Sequence, residues 1–197
     1  MSHVRALWLK FHEAMLQADL VAAERIRERG HACGGRLHRA DYPRKARGFD
    51  EETEAVGRYG MRFSFCCSRD GCRRRVTPPS ARFLGRHVFA AVFVILGSGT
   101  VRSAMSDAAP PPVPSPSRQT TRRWRSLWQQ RFAQSATFVE LVASRLSSPV
   151  DPTEMPGALL DRLHGEPLLR VEFLLRLLGP WTTITVPPET ASFVMVR

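Results

Sequence analysis

Over the first thirty positions the apolar residues recur at helical spacing. Leu7, Trp8, Phe11 and Met15, then Val21, Ala22 and Ile26, fall near three or four apart, with Lys10, Glu13, Glu24 and Arg27 elsewhere. This pattern predicts an amphipathic helix, or a helical pair whose second member is capped by Asp19, ending at Gly30. The period then changes. Residues 37–42 and 62–67 read as strands, the second placing Phe63, Phe65 and Cys67 on one face and Arg62, Ser64 and Cys66 on the other. Between them a basic turn, Pro43 to Gly48, meets an acidic patch at residues 49–54, the mark of a solvated excursion. Residues 83–96 are almost wholly apolar but fall short of the roughly 20 residues that a bilayer-spanning helix needs. They predict a buried helix, with Ser80 as its cap and His87 as a core or boundary histidine.

Beyond this the chain changes character. Residues 107–117 hold five prolines, which favour an extended linker without a packed core. A helix is then expected from Arg118, capped by Thr120 or Thr121, with Trp124, Leu127 and Trp128 on one face. Further helices are expected at 135–146 and 168–178, the latter opened by Pro167 and closed by Gly179-Pro180, followed by a short strand at 183–186. The resulting division is an N-terminal helix or helical pair (1–30), a small β-hairpin module with its buried helix (31–97), a proline-rich linker (98–117) and a basic helical domain (118–197). The fold class is α+β, predominantly α.

The four cysteines change this picture, because all lie in two short pieces: His31-Ala32-Cys33-Gly34-Gly35 and Cys66-Cys67-Ser68-Arg69-Asp70-Gly71-Cys72. Thiolates and an imidazole held by tight turns suit tetrahedral Zn²⁺. The expected ligand set is His31, Cys33, Cys67 and Cys72, with Cys66 as the alternate to Cys67 and His38 as the alternate to His31. The hairpin module then reads as a zinc ribbon. The competing readings are reduced cysteines acting as small buried hydrophobes, or disulfides. The N-terminal stretch offers no apolar signal segment to support disulfides, so a cytoplasmic setting is expected.

Charge adds a partner. The formal net charge is +11, and residues 31–86 carry 13 Lys and Arg against 6 Asp and Glu, a local charge of +7. Such a field favours a polyanion, most simply nucleic acid, although an arginine-rich solvated surface would give the same total. The candidate contacts are Arg44, Lys45 and Arg47 in the basic turn, with Tyr42 available to stack. Arg73, Arg74 and Arg75 form the densest run, and Arg122, Arg123 and Arg125 lie on the Trp124 helix. That helix has the character of a recognition helix, polar at its start and aromatic on its docking face, with the proline run standing where a partner helix would precede it.

The run Arg62-Phe63-Ser64-Phe65-Cys66-Cys67, the turn to Gly71-Cys72, then Arg73-Arg74-Arg75-Val76-Thr77-Pro78-Pro79 and an apolar segment together resemble the zinc ribbon near the N-terminus of bacterial insertion-sequence transposases. The resemblance covers about 60 of the 197 residues, and a motif of this size also occurs in many other nucleic-acid proteins. It departs from the family pattern where His31 stands in place of the first cysteine and where the intervening loop is longer. It implies a DNA-binding protein tied to a mobile element and, in the cell, to the nucleoid.

No catalyst is expected. Two-metal phosphoryl chemistry needs clustered carboxylates, whereas Glu140, Asp161, Glu166 and Glu172 stand apart, and no phosphate-binding glycine loop or nucleophile elbow is present. Two readings follow. One is a zinc-dependent protein that binds nucleic acid, DNA more readily than RNA, with no membrane association. The other is a zinc-stabilised helical module that meets a protein partner or a second copy of itself.

Overall fold

The computed structural model describes residues 3–44, 59–84, 89–98, 116–139, 149–191 and 193. Lys45, Arg47, the acidic patch at 49–54, His87, most of the proline run and the second half of the expected 135–146 helix lie outside these residues. The described chain is predominantly helical, with its few strands in two small sheets. Among the described residues, no helix is long and apolar enough to cross a membrane.

The first helix, α1 (His3–Arg29), is continuous over 27 residues and serves as the spine. One face buries Trp8, Phe11, Met15, Ala18 and Ala22 in a large helical core. The adjacent face buries Leu16, Ala23 and Ile26 in a separate cluster with the strands. The two cores thus lie against neighbouring faces of one helix. Arg27 and Arg29 in the last turn complement the negative end of the helix dipole.

Asp19 does not cap a second helix. It sits mid-helix, fully buried, and accepts hydrogen bonds from the Ser80 hydroxyl, the Ala81 amide (2.6 Å) and Arg82 Nε (2.9 Å). The Arg82 guanidinium goes on to donate to the carbonyls of Tyr59 and Met61. A tertiary charge partner has therefore outweighed the local capping preference.

The strands are β1 (Leu37–Arg39), β2 (Tyr42–Pro43), β3 (Met61–Arg62), β4 (Phe65–Cys67) and β5 (Arg75–Val76). β1, β4 and β5 form an antiparallel sheet in that order, with Leu37 opposite Cys67 and Phe65 opposite Val76. β2 pairs with β3. Each expected long strand is interrupted, because the Asp41 carboxylate takes the Ser64 amide at 2.9 Å where a ladder carbonyl would otherwise sit. The expected polar face of 62–67 is also buried at Arg62 and Ser64. Arg62 turns inward to donate to the carbonyls of Pro78 (2.6 Å) and Thr182 (3.3 Å). Burial pulls its pKa below the ordinary arginine value, with the nearby Asp19 charge acting the other way.

Among the described residues, the apolar stretch 83–96 is helical only in α2 (Ala91–Leu96). Ser80 does not cap that helix; its hydroxyl oxygen accepts the amides of Arg82 and Phe83, holding a bend that buries Ala81, Phe83 and Leu84. Next comes α3 (Arg118–Ser126), capped by Ser117, whose Oγ accepts the Thr120 amide, rather than by Thr120 or Thr121. It continues into a wider π-type turn, Leu127–Phe132. Trp124, Leu127 and Trp128 are buried on one face, as their spacing requires. That face meets the end of α2: the Trp128 indole donates to Ser98 Oγ at 2.9 Å, and Phe89 packs edge-on against Trp124 at 5.1 Å.

The remaining helices are α4 (Gly157–Leu160), α5 (Pro167–Leu177) and α6 (Pro188–Ala191), with 3-10 turns at Pro152–Glu154 and Gly179–Thr182. Pro167 opens α5 at its first position, and the Gly179–Thr182 turn follows its end. Leu159, Leu160, Val171, Leu174, Leu175 and Leu178 close the helical core under α1 and α2. Residues 183–186 are a bent segment, not a strand. Thr183 donates to the Thr77 carbonyl, Thr185 Oγ1 accepts the Thr77 amide at 2.7 Å, and Thr182 Oγ1 accepts the Ser80 amide at 2.8 Å. Hydroxyls thus do the work that a strand ladder would have done, and they fasten the C-terminal segment to the turn that follows β5.

Candidate metal centre

Two backbone turns present the ligands. In the first, the Gly34 amide donates to the His31 carbonyl at 2.8 Å and the His31 amide to the Gly35 carbonyl at 3.0 Å. The turn is allowed by the left-handed backbone of Gly34, φ +81°. In the second, the Cys72 amide donates to the Arg69 carbonyl at 3.1 Å, and Gly71 takes the same left-handed conformation, φ +80°. Gly35 answers a different need. A Cβ there would lie 2.4 Å from the Cys67 sulfur, so only glycine lets the first turn close over the strand that carries Cys67.

The result is a four-donor cluster. His31 Nδ1, Cys33 Sγ, Cys67 Sγ and Cys72 Sγ all lie within 4.8 Å of one another. His31 Nδ1 is 3.1 Å from Cys33 Sγ and 3.6 Å from Cys72 Sγ, and the Cys33 and Cys67 sulfurs are 3.5 Å apart. A tetrahedral ion with metal–sulfur bonds of about 2.3 Å separates its sulfurs by about 3.8 Å, so these spacings fit a single ion. The four residues can hold a metal. Cys67 is fully buried, while His31, Cys33 and Cys72 are half-buried at the rim.

The alternates are excluded by the sheet. Cys66 points to the opposite face, its thiol toward the Arg73 carbonyl at 3.3 Å, and His38 faces Cys66 across the ladder, exposed. The free thiols are not equivalent. The His31 hydrogen bond, followed by the Gly35 amide, draws Cys33 down to about 6. Cys67 moves up: the Arg69 amide favours its thiolate, but burial and the neighbouring sulfurs together outweigh it.

Around the cluster lies a shell of exposed cations. Arg73, Arg74 and Arg75 project from the second turn and β5; Arg73 has a left-handed φ of 45° and pairs with Asp70 at 3.0 Å. Arg36 and Arg69, also exposed, were not among the sequence candidates. Arg69 donates to the Cys33 carbonyl at 2.6 Å and so ties one turn to the other. Its position between two ligands of the second piece was the signal available in the sequence.

The remaining candidates are dispersed. Arg44 is half-buried, its guanidinium 6.0 Å from the Phe83 ring. Arg122 and Arg123 are exposed on α3, and Arg125 donates to the Ser98 carbonyl at 3.1 Å. Compared with protein-family models, curated proteins and solved structures, the chain gives no match.

Proposed function

We propose that this chain is a zinc-dependent nucleic-acid-binding protein, with DNA as its polymer, of the kind carried by bacterial mobile elements. The observation that supports it is the grouping of exposed Arg36, Arg69, Arg73, Arg74 and Arg75 around a four-donor His/Cys cluster. Zinc is the ion of choice, because three thiolates and one imidazole are soft donors in a closed set of four, without the open position a catalytic metal needs. In this reading the metal fixes the two turns and the turns aim the arginines. Guanidinium groups supply planar donors for phosphate. Arg122 and Arg123 on α3 form a second set, suited to base edges.

The test is a salt titration of DNA binding. The apparent affinity should fall steeply with salt, and replacing Arg73, Arg74 and Arg75 by alanine should flatten the log-log slope by up to about 0.9 per lost contact on duplex, or about 0.7 on a single strand. Losing Arg122 or Arg123 should instead cost about 1 to 3 kcal/mol on a preferred sequence and change nonspecific binding much less. A wild-type protein that binds DNA no better than the triple-alanine variant at low salt would end this reading and leave a zinc-stabilised module with a protein partner.

A further inference from the structure

The register of the three-stranded sheet sets three side chains in a row. His38 of β1 stands opposite Cys66 of β4, and Cys66 stands opposite Arg75 of β5. Because side chains alternate along a strand, these three share one face, while Leu37, Cys67 and Val76 share the other, buried face. On the outer face His38 and Arg75 are exposed. The row continues beyond the sheet, since the Arg75 guanidinium lies over the Tyr42 ring at 5.4 Å. Tyr42, Arg75 and His38 each offer a flat π surface. The nearby Asp41 is turned to Arg39 at 2.7 Å and to the Ser64 amide. Arg36, Arg73 and Arg74 stand exposed on the segments leading into β1 and β5.

Flat side chains spaced across a cationic sheet match unpaired bases, which stack on aromatic, histidine and guanidinium planes while the backbone follows the charges. Stacked pairs inside a duplex do not offer their faces in this way. We propose that the His38–Cys66–Arg75 face, extended by Tyr42, binds single-stranded nucleic acid. Bases stack on Tyr42, Arg75 and His38, and phosphates lie along Arg36, Arg73 and Arg74. This rests on the nucleic-acid reading above and assigns to it the strand class.

The test is fluorescence anisotropy with the zinc-loaded full chain at one fixed salt concentration. The probes are an oligothymidylate of about 15 nucleotides, within the range such sites cover, and a duplex of equal length. The single strand should bind at least about tenfold more tightly. Tyr42→Leu and His38→Ala should each reduce single-strand affinity by about tenfold, the scale of one lost stacking contact, and Tyr42→Phe, which restores a ring, should recover it. Equal zinc content and circular dichroism across the variants show that the sheet is intact; His38, being exposed, serves as the safer substitution if Tyr42→Leu unfolds β2. Duplex binding as tight as single-strand binding, His38→Ala binding the single strand as tightly as wild type, or Tyr42→Phe binding as weakly as an intact Tyr42→Leu, would overturn this face while leaving DNA binding in place. Binding to neither probe would overturn the nucleic-acid reading itself, and this inference with it.

Discussion

At the residue scale, the centre depends on which of two adjacent cysteines faces inward. Cys67 shares the buried face with Leu37, whereas Cys66 looks out toward the Arg73 carbonyl. Cys66→Ser should therefore keep one metal ion per chain and Cys67→Ser should lose it, as native mass spectrometry reads directly. Gly35→Ala should also lower metal affinity by tenfold or more, since its methyl group would collide with the Cys67 sulfur. The alternation of 62–67 was enough to favour Cys67 from sequence. It did not reveal that Arg62 and Ser64 are buried too; for Arg62 the partners lie along the chain at Pro78 and, farthest, Thr182. A second residue-scale consequence concerns His12, which packs against Trp8, Phe11 and Tyr59 and whose burial lowers its pKa from 6.5 to about 4. The unfolded chain then binds the proton more readily between these values, so the neutral ring's contribution is full above pH 6.5 and is lost as pH falls toward 4. The loss is about 3 kcal/mol across that window. His12→Gln should remove this dependence, so the stability difference between wild type and variant, followed by denaturant unfolding at pH 7 and pH 4, should change by about that amount; a constant difference would contradict it.

At the element scale, α1 is the part most dependent on distant sequence. Its apolar spacing was legible, but Asp19 read as a cap because aspartate commonly caps helices and nothing local identified Arg82 as its partner. In the folded chain Asp19 and Arg82 form an ion pair with side chains 0% and 1% exposed, and this pair joins α1 to the bend after β5. Removing one member of a fully buried pair leaves an uncompensated charge, at a cost of about 3 to 5 kcal/mol. Asp19→Ala should accordingly lower the thermal midpoint by roughly 10 °C, whereas Asp19→Asn, which keeps an acceptor for Ser80 and Ala81, should lower it less. Equal effects of the two would show that the retained acceptor contributes nothing and that the lost charge carries the whole cost. The stretch 83–96 misled for a related reason. Its composition announced burial correctly, but periodicity cannot distinguish a buried bend from a buried helix, and the Ser80 hydroxyl chose the bend at Arg82 and Phe83.

At the scale of the whole molecule, the metal centre and the helical core are not independent. One helix carries both hydrophobic clusters, and Arg62 and Thr182 join β3, the turn at Pro78 and the C-terminal segment. Stripping the metal should thus lower the thermal midpoint of the helical signal as well as loosen the hairpin, and circular dichroism at 222 nm with and without chelator measures it. A helical transition unmoved by chelator would contradict the coupling. The hairpin and the four-ligand set could be read from sequence because turn glycines and cysteines carry strong local meaning. The hydroxyl fastening of 182–185 to 77–80 could not, since threonines there read equally well as a strand. The most direct test of the central claim is X-ray absorption at the zinc edge of the metal-loaded chain. It should show three sulfurs at about 2.3 Å and one nitrogen at about 2.0 Å, from Cys33, Cys67, Cys72 and His31. A shell of four sulfurs would bring Cys66 into the centre, and a shell of light atoms alone would remove the thiolates from it; either result contradicts the account.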